Sequence, residues 1–210
     1  MRNITELIKK AHELKEKGFS TGEISDELNV SRETALWLVT HKRKKKEEEM
    51  PTDIYIDWST IGTSSARLEY TASAMSDLII ETLEEKELEE PDVIVGIATS
   101  GIPIATLIAA EWGVALAIVR PKKHLWEPEK EEKQAGYLLT NFADVKGRNV
   151  VLVDDIVTTG TTIKETITLL KEAGAKPLAA VVLIDKKGIS NVEGIPVRAL
   201  VEARIVEELG

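Results

Sequence analysis

The sequence predicts an α/β domain, a mostly parallel sheet with helices on both faces, that follows a small all-α domain. After about residue 90, short aliphatic runs alternate with segments of helical periodicity, which is the pattern of parallel strands joined by crossover helices. The first 48 residues contain only helical spacings and helix caps. We place the domains at residues 1–48 and 52–210, because Pro51 disfavours helix in the residue before it.

Composition restricts the class of protein. The chain has no cysteine, which excludes disulfides and zinc-thiolate sites. No apolar run approaches the roughly 20 residues that a membrane span requires, so no membrane partner is expected. The N-terminal segment carries Glu6 and no apolar signal core, so the expected location is the cytoplasm.

Charge is unevenly distributed along the chain. Residues 1–46 contain 11 Lys+Arg and 7 Asp+Glu, which gives +4. The remaining residues contain 16 and 29, which gives −13 and accounts for the total of −9. A basic N-terminal module on an acidic body indicates that the module is the part that meets a polyanion.

The N-terminal domain begins with two predicted helices. Apolar residues at helical spacing predict the first over residues 5–17. Ser20 and Glu23 have the spacing of a capping box, which begins a second helix that reaches Leu28. Asn29 tolerates the left-handed conformation that closes such a helix.

A third helix, capped by Ser31, is predicted to run toward Lys44. The apolar positions of the second and third helices resemble the helix-turn-helix pattern: Ile24, Leu28, Val30, Ala35 and Leu38. The resemblance implies that the third helix enters the major groove of double-stranded DNA. The residues expected to contact DNA are Ser31, Arg32, Glu33 and Thr34. Leu36 and Trp37 are expected to pack on a neighbouring helix or subunit. The alternative is a module that only mediates protein interaction or dimerisation.

The second domain is predicted to begin with the alternating residues Ile54, Ile56 and Trp58, which indicate a strand. Helical periodicity follows over residues 66–83, and two aliphatic runs at 92–98 and 114–119 predict buried strands. Later segments predict a helix and two more strands, at 163–173, 177–184 and 196–205.

The most informative stretch is residues 150–162, in which an aliphatic run is followed by two aspartates and then by a threonine-glycine cluster. Ligands of open α/β sheets bind at the carboxyl ends of such buried strands. Asp154 and Asp155 suit vicinal hydroxyl groups, and residues 158–162 precede a helix whose N-terminus favours a phosphate. These features indicate a ribose 5-phosphate site. The plainer alternative is an acidic turn that only caps the helix, and the absence of Gly-x-x-x-x-Gly-Lys disfavours a nucleotide triphosphatase.

The same stretch resembles the signature of the type I phosphoribosyltransferases, which bind phosphoribosyl pyrophosphate (PRPP). This resemblance implies that Asp154 and Asp155 hold the ribose 2- and 3-hydroxyls. It implies that Mg²⁺ is bound through oxygens of PRPP and not directly by the protein. The residues implied for the 5-phosphate are Thr158, Thr159, Gly160, Thr161 and Thr162.

Two further loops are assigned by the same resemblance. The pyrophosphate loop, which often contains a cis peptide in this family, corresponds to Ala98, Thr99, Ser100 and Gly101. Arg120 would also bind PRPP. Orotate phosphoribosyltransferases have here a loop of Arg-Lys-x-x-Lys-x-His-Gly type that acts in catalysis and crosses to a partner subunit. This chain has Lys122, Lys123 and His124 at compressed spacing without the glycine, so we expect little or no orotate turnover.

The whole chain resembles the archaeal orotate phosphoribosyltransferase-like transcriptional regulators of the sugar-catabolism type. This implies a homodimeric DNA-binding regulator that senses PRPP or a related phosphoribosyl metabolite. The alternative is an active, Mg²⁺-dependent phosphoribosyltransferase for orotate or another nucleobase, with a DNA-binding or dimerising appendage.

Overall fold

The computed structural model describes residues 4–41, 51–121, 137–140 and 142–205. These residues fall into two units. One contains the chain up to Trp58 together with the segment from Ala203 onward, and the other extends from Ser59 to Glu202. In the ranges that the structure describes, no helix has both the length and the hydrophobicity needed to cross a membrane.

Three helices form the first unit: α1 (Ile4–Glu16), α2 (Thr21–Leu28) and α3 (Arg32–Thr40). Apolar residues recur every three or four positions, so each helix turns one apolar side toward the other two. These side chains make one buried cluster: Leu7, Ile8, Ala11, Leu14, Ile24, Leu28, Val30, Ala35 and Leu38. The predicted small all-α domain is confirmed.

Polar caps determine the turn between α2 and its neighbours. The Ser20 hydroxyl accepts the Glu23 N–H at 3.3 Å, and the Glu23 carboxylate accepts the Ser20 N–H at 2.8 Å. The predicted capping box is therefore present. Asn29 follows α2 with φ 55°, the left-handed conformation that the sequence predicts. Ser31 then caps α3 by accepting the Thr34 N–H at 3.1 Å.

Helix α3 ends at Thr40, short of Lys44, toward which the sequence predicts it to run. His41 is extended, with φ −105° and ψ 117°. Its Nδ1 lies 2.7 Å from the Trp37 carbonyl oxygen, and its ring stacks on the Trp37 indole with centroids 4.3 Å apart. The imidazole thus contacts one of the terminal carbonyls that a helix end leaves without an intrahelical partner. The basic run that follows His41 lies outside the described residues.

The strand predicted from Ile54, Ile56 and Trp58 is absent: none of residues 51–58 belongs to a strand or is fully buried. Alternation specifies a strand only where one face is buried against a core. The segment instead contacts the helical unit, where the Asp53 carboxylate accepts the Ser31 N–H at 2.7 Å and Tyr55 packs against the apolar cluster.

The second unit begins with two helices and continues with alternating strands and helices. The helices are α4 (Ser59–Gly62), α5 (Ser65–Glu85), α6 (Gly101–Trp112) and α7 (Thr161–Glu172). The strands are β1 (Val93–Ile97), β2 (Ala115–Pro121), β3 (Tyr137–Leu139), β4 (Asn149–Val157), β5 (Lys176–Asp185), β6 (Asn191–Val192) and β7 (Ile195–Glu202). Strand β7 ends at Glu202, short of the predicted end at residue 205.

The strands form one sheet in the order β3-β2-β1-β4-β5-β7-β6. Its five central strands are parallel, and the short strands β3 and β6 pair antiparallel at the two edges. Strand β3 was not predicted, because three residues are too few to show a period. The predicted mostly parallel sheet is confirmed.

Helices cover both faces of this sheet. Successive side chains of a strand point to opposite faces. Val93, Val95 and Ile97 of β1 join the buried cluster that contains Ile163 and other residues of α7. Gly96 lies on the other face, where a Cβ would be 3.0 Å from the Ala105 Cβ of α6. The central strands are therefore buried on both sides, which explains their unbroken aliphatic sequences.

Candidate functional site

The connections after β1 and β4 leave the sheet in opposite directions. Strand β1 leads through α6 to β2 on one side, whereas β4 leads through α7 to β5 on the other. Because β1 and β4 are parallel neighbours, their carboxyl ends meet where the strand order reverses. Open α/β sheets bind ligands in the crevice at such a point. The PRPP residues predicted from the two loops follow these strand ends.

Two aspartates lie at the carboxyl end of β4. The register with β1 ends at Gly96 and Val153, but the register with β5 continues as far as Val157. Asp154 and Asp155 therefore lie inside β4 and not just after the strand as predicted, because β5 extends the pairing. Each is 8% exposed, and Asp154 Oδ1 accepts the Asp155 N–H at 2.9 Å. Carboxylates in such a low-dielectric position interact strongly with hydrogen-bond donors.

The loop between β1 and α6 approaches the aspartates closely. The peptide bond between Ala98 and Thr99 is cis, as the resemblance implies. Gly101 begins α6, and a Cβ there would lie 2.5 Å from a backbone carbonyl oxygen of β4 and 3.1 Å from Asp154 Oδ1. Thr99 is exposed, and Ser100 is half-buried like Ala98. The absence of a side chain at residue 101 is what allows this loop to pack against the aspartate pair.

The threonine-glycine cluster forms the turn between β4 and α7. Gly160 has φ +77°, and the helix begins at the next residue. The hydroxyl oxygens of Thr159 and Thr161 are 3.0 Å apart on exposed side chains, while Thr158 and Thr162 are half-buried. The turn thus combines hydroxyl groups with the N-terminus of a 12-residue helix, which is an arrangement suited to an anion.

Sequence reasoning missed a third buried aspartate, Asp185, at the end of β5. It is 3% exposed, and its carboxylate accepts the backbone N–H groups of residues 187–189 at distances between 2.6 and 2.9 Å. These bonds hold the loop whose Ile189 packs on Gly160, where an added Cβ would be 2.8 Å from Ile189 Cδ1. Asp185 therefore supports the threonine turn indirectly. The sequence feature that could have identified Asp185 is an acidic residue directly after an aliphatic run, as at Asp154.

Arg120 is exposed near the end of β2, opposite Leu138 of β3. Because β2 is parallel to β1 and adjacent to it, Arg120 belongs to the same edge of the sheet as the loop at 98–101. Lys122, Lys123 and His124, the residues predicted for catalysis, lie outside the described residues.

Glu193, in the turn between β6 and β7, has a pKa below its ordinary value. The hydrogen bond and the charge of Lys164 cause the lowering, with the Lys164 ammonium 3.0 Å from the Glu193 carboxylate. Both side chains are well exposed, so the ion pair adds little to stability. Its effect is local: it ties the first turn of α7 to the strand hairpin.

The four residues predicted to contact DNA divide into two pairs. Thr34 is only 5% exposed, and its hydroxyl accepts a hydrogen bond from the Ser31 hydroxyl at 2.9 Å. Ser31 and Thr34 therefore build the start of α3. Arg32 and Glu33 are exposed on its first turn. The Arg32 guanidinium lies over Gly22 of α2, where a Cβ would be 3.4 Å from Nη2.

Comparison with known proteins identifies the family and the fold of the second unit. Residues 67–193 match the family described as "Phosphoribosyl transferase domain". Adenine phosphoribosyltransferase from Thermoanaerobacter pseudethanolicus is 19% identical with a TM-score of 0.56, covering 74% of this chain and 91% of that one. Orotate phosphoribosyltransferase from Aeropyrum pernix is 22% identical with a TM-score of 0.54, covering 72% and 80%. At these identities the likeness establishes the fold, which is that of a type I phosphoribosyltransferase.

Similarity over nearly the whole chain is found with proteins named "Transcriptional regulator GfcR". The one from Methanocella arvoryzae is 45% identical over 202 residues, covering 96% of this chain and 97% of that protein. The one from Methanothrix thermoacetophila is 47% identical over 202 residues, covering 96% and 98%. The chain therefore belongs to the phosphoribosyl transferase domain family and, within it, to the group of proteins named transcriptional regulator GfcR. The predicted resemblance to regulators with a phosphoribosyltransferase domain is confirmed.

Proposed function

We propose that the protein is a homodimeric, DNA-binding transcriptional regulator whose phosphoribosyltransferase-like unit binds PRPP, or a related phosphoribosyl metabolite, as effector. One observation carries the proposal. The aspartate pair, the loop at 98–101 and the threonine turn converge on one strand-order reversal, in a chain that also contains a capped helix-turn-helix unit. The family relationship supports the regulatory role.

Each part of the proposed ligand has a chemically matched partner. The buried carboxylates of Asp154 and Asp155 accept hydrogen bonds from the ribose 2- and 3-hydroxyls. The turn at 158–162 and the N-terminus of α7 bind the 5-phosphate. The loop at 98–101, which Gly101 brings against the aspartates, and Arg120 bind the pyrophosphate. A ribose that carries both a 5-phosphate and a pyrophosphate would contact the aspartate pair, the turn at 158–162, and the loop at 98–101 together with Arg120.

Magnesium enters this proposal through the ligand. Among the described residues, no group of three or more His, Asp or Glu side chains could hold a metal ion. Mg²⁺ commonly binds through one or two carboxylates together with substrate phosphates and water. We assign it to the pyrophosphate and hydroxyl oxygens of PRPP, where it would neutralise part of the ligand's charge.

We expect specific DNA binding to depend on Arg32. This arginine is exposed on the first turn of α3, the position from which a recognition helix reaches base edges. If it pairs with a guanine, Arg32→Ala should cost about 1 to 3 kcal/mol, or roughly a 5- to 150-fold loss of affinity. The measurement is fluorescence anisotropy at fixed salt, on a duplex selected by the wild-type protein from randomised DNA.

The control is Arg148→Ala, which removes an exposed arginine from the second unit and should leave the affinity unchanged. Failure to select any specific duplex would refute the DNA-binding function. Unchanged affinity in Arg32→Ala would refute only the role of this side chain.

A further inference from the structure

Helix α3 presents one large hydrophobic side chain on its outer side. Leu36 is 53% exposed, and it is the only exposed large hydrophobic residue among the described residues of the helical unit. The buried side of α3 consists of Thr34, Ala35 and Leu38. At about 100° per residue, Leu36 lies roughly 150° from the middle of that buried arc. It therefore stands near the centre of the surface that α3 turns away from its own core.

The neighbours of Leu36 on this surface are polar. Arg32 and Glu33 are exposed one turn earlier, and Thr40 is exposed one turn later. The Thr40 hydroxyl is bonded to the Leu36 carbonyl oxygen at 3.0 Å, so its polar atom is already engaged by its own helix. The outer surface of α3 thus has an apolar centre beside a charged first turn.

We propose that Leu36 is a specificity-determining residue that contacts the C5-methyl group of a thymine in the major groove. This rests on the DNA-binding function proposed above. Thymine presents a methyl group in that groove, next to the donors and acceptors of the other base edges. A leucine side chain forms no hydrogen bonds, so its selectivity comes from this methyl group. Arg32 and Glu33 would then hydrogen-bond to the donors and acceptors of the neighbouring base edges.

A second copy of the chain is the competing occupant of this surface. Stable interfaces bury about 800 Å² on each partner, with a continuous apolar centre. One leucine between an arginine-glutamate pair and a threonine is a poor candidate for such a centre. The same mixed surface fits the groove of DNA, whose floor combines polar edges with isolated methyl groups.

The test combines a protein change with a DNA change. In a duplex selected by the full-length wild-type protein, each thymine of a half-site is replaced in turn by deoxyuridine, which removes only the methyl group. At one position we expect the replacement to weaken wild-type binding about four-fold, the loss for one buried methyl-sized group. Leu36→Ala should bind the thymine and deoxyuridine duplexes equally at that position.

Two controls keep the result interpretable. Leu36→Met retains an apolar side chain and should retain most of the thymine preference. Leu200→Ala removes an exposed leucine of the second unit and should behave as wild type.

Three outcomes would overturn the proposal. In the first, Leu36→Ala keeps every thymine preference of the wild type, so that DNA binding stands without this contact. In the second, wild-type binding ignores all deoxyuridine replacements while Leu36→Ala loses its dimer in light scattering, which would assign Leu36 to a subunit contact. In the third, no specific duplex is found, and the proposed DNA-binding function fails with it.

Discussion

Replacing both Asp154 and Asp155 with asparagine should remove PRPP binding while the protein stays folded. Each of these two residues is only 8% exposed, and hydrogen bonds from ligand hydroxyls are strong in such a buried position. Hydrogen bonds to charged groups contribute about 1.5 to 3 kcal/mol each, so losing two charged acceptors should weaken binding on the order of 100-fold or more. Asparagine keeps an oxygen at residue 154 that can accept the backbone N–H as Asp154 Oδ1 does.

Calorimetric titration with PRPP and Mg²⁺ measures this effect. The matched control is Asp77→Asn with Asp144→Asn, which makes the same change of charge at two exposed positions of the same unit. The control should bind as wild type does. Equal affinity in the Asp154→Asn, Asp155→Asn variant and the wild type would contradict the assignment of the aspartates to the ribose.

The second large effect is expected for Gly101→Ala. The added Cβ would lie 2.5 Å from a carbonyl oxygen of β4 and 3.0 Å from the Asp154 Cα, so the loop or the strand must shift. Overpacking of this kind costs about 1 to 3 kcal/mol of stability. It should also displace the loop at 98–101 from the aspartates, so PRPP affinity should fall together with the free energy of unfolding.

Denaturant unfolding and PRPP titration of the same preparations separate the two effects. Gly62→Ala is the control, because a Cβ there meets nothing within 4 Å and needs no left-handed backbone. It should leave ligand binding intact and be neutral or slightly stabilising. A Gly101→Ala protein with wild-type stability and wild-type PRPP affinity would show that the close packing at this loop is unimportant.

Most of the fold could be predicted from the sequence, because the decisive patterns are local. Aliphatic runs at 92–98 and 150–153 identify buried strands without any knowledge of their partners. The alternation at 54–58 predicted a strand that does not form. A strand also needs a neighbouring strand and a face to bury, whereas this segment contacts helices. Helix α3 ends before His41, whose ring contacts the Trp37 carbonyl oxygen, and no periodicity in the sequence reveals this contact.

In the candidate site, too, the local patterns could be predicted and the tertiary contacts could not. Asp154, Asp155 and the threonine turn follow one another in the chain, so their pattern was visible. Asp185 lies in a different segment and reaches the turn only through Ile189, a relationship that tertiary structure alone creates. Thr34 was predicted to contact DNA from its position on the helix, but its burial depends on packing that the local sequence does not specify.

The central claim is that the ligand site controls DNA binding. The most direct measurement is DNA affinity with and without saturating PRPP and Mg²⁺, in wild type and in the Asp154→Asn, Asp155→Asn variant. We expect PRPP to change wild-type affinity by about 5- to 150-fold, the usual coupling of 1 to 3 kcal/mol, and to leave the variant unchanged. Wild-type affinity for its specific duplex that is the same at zero and saturating PRPP would contradict the claim.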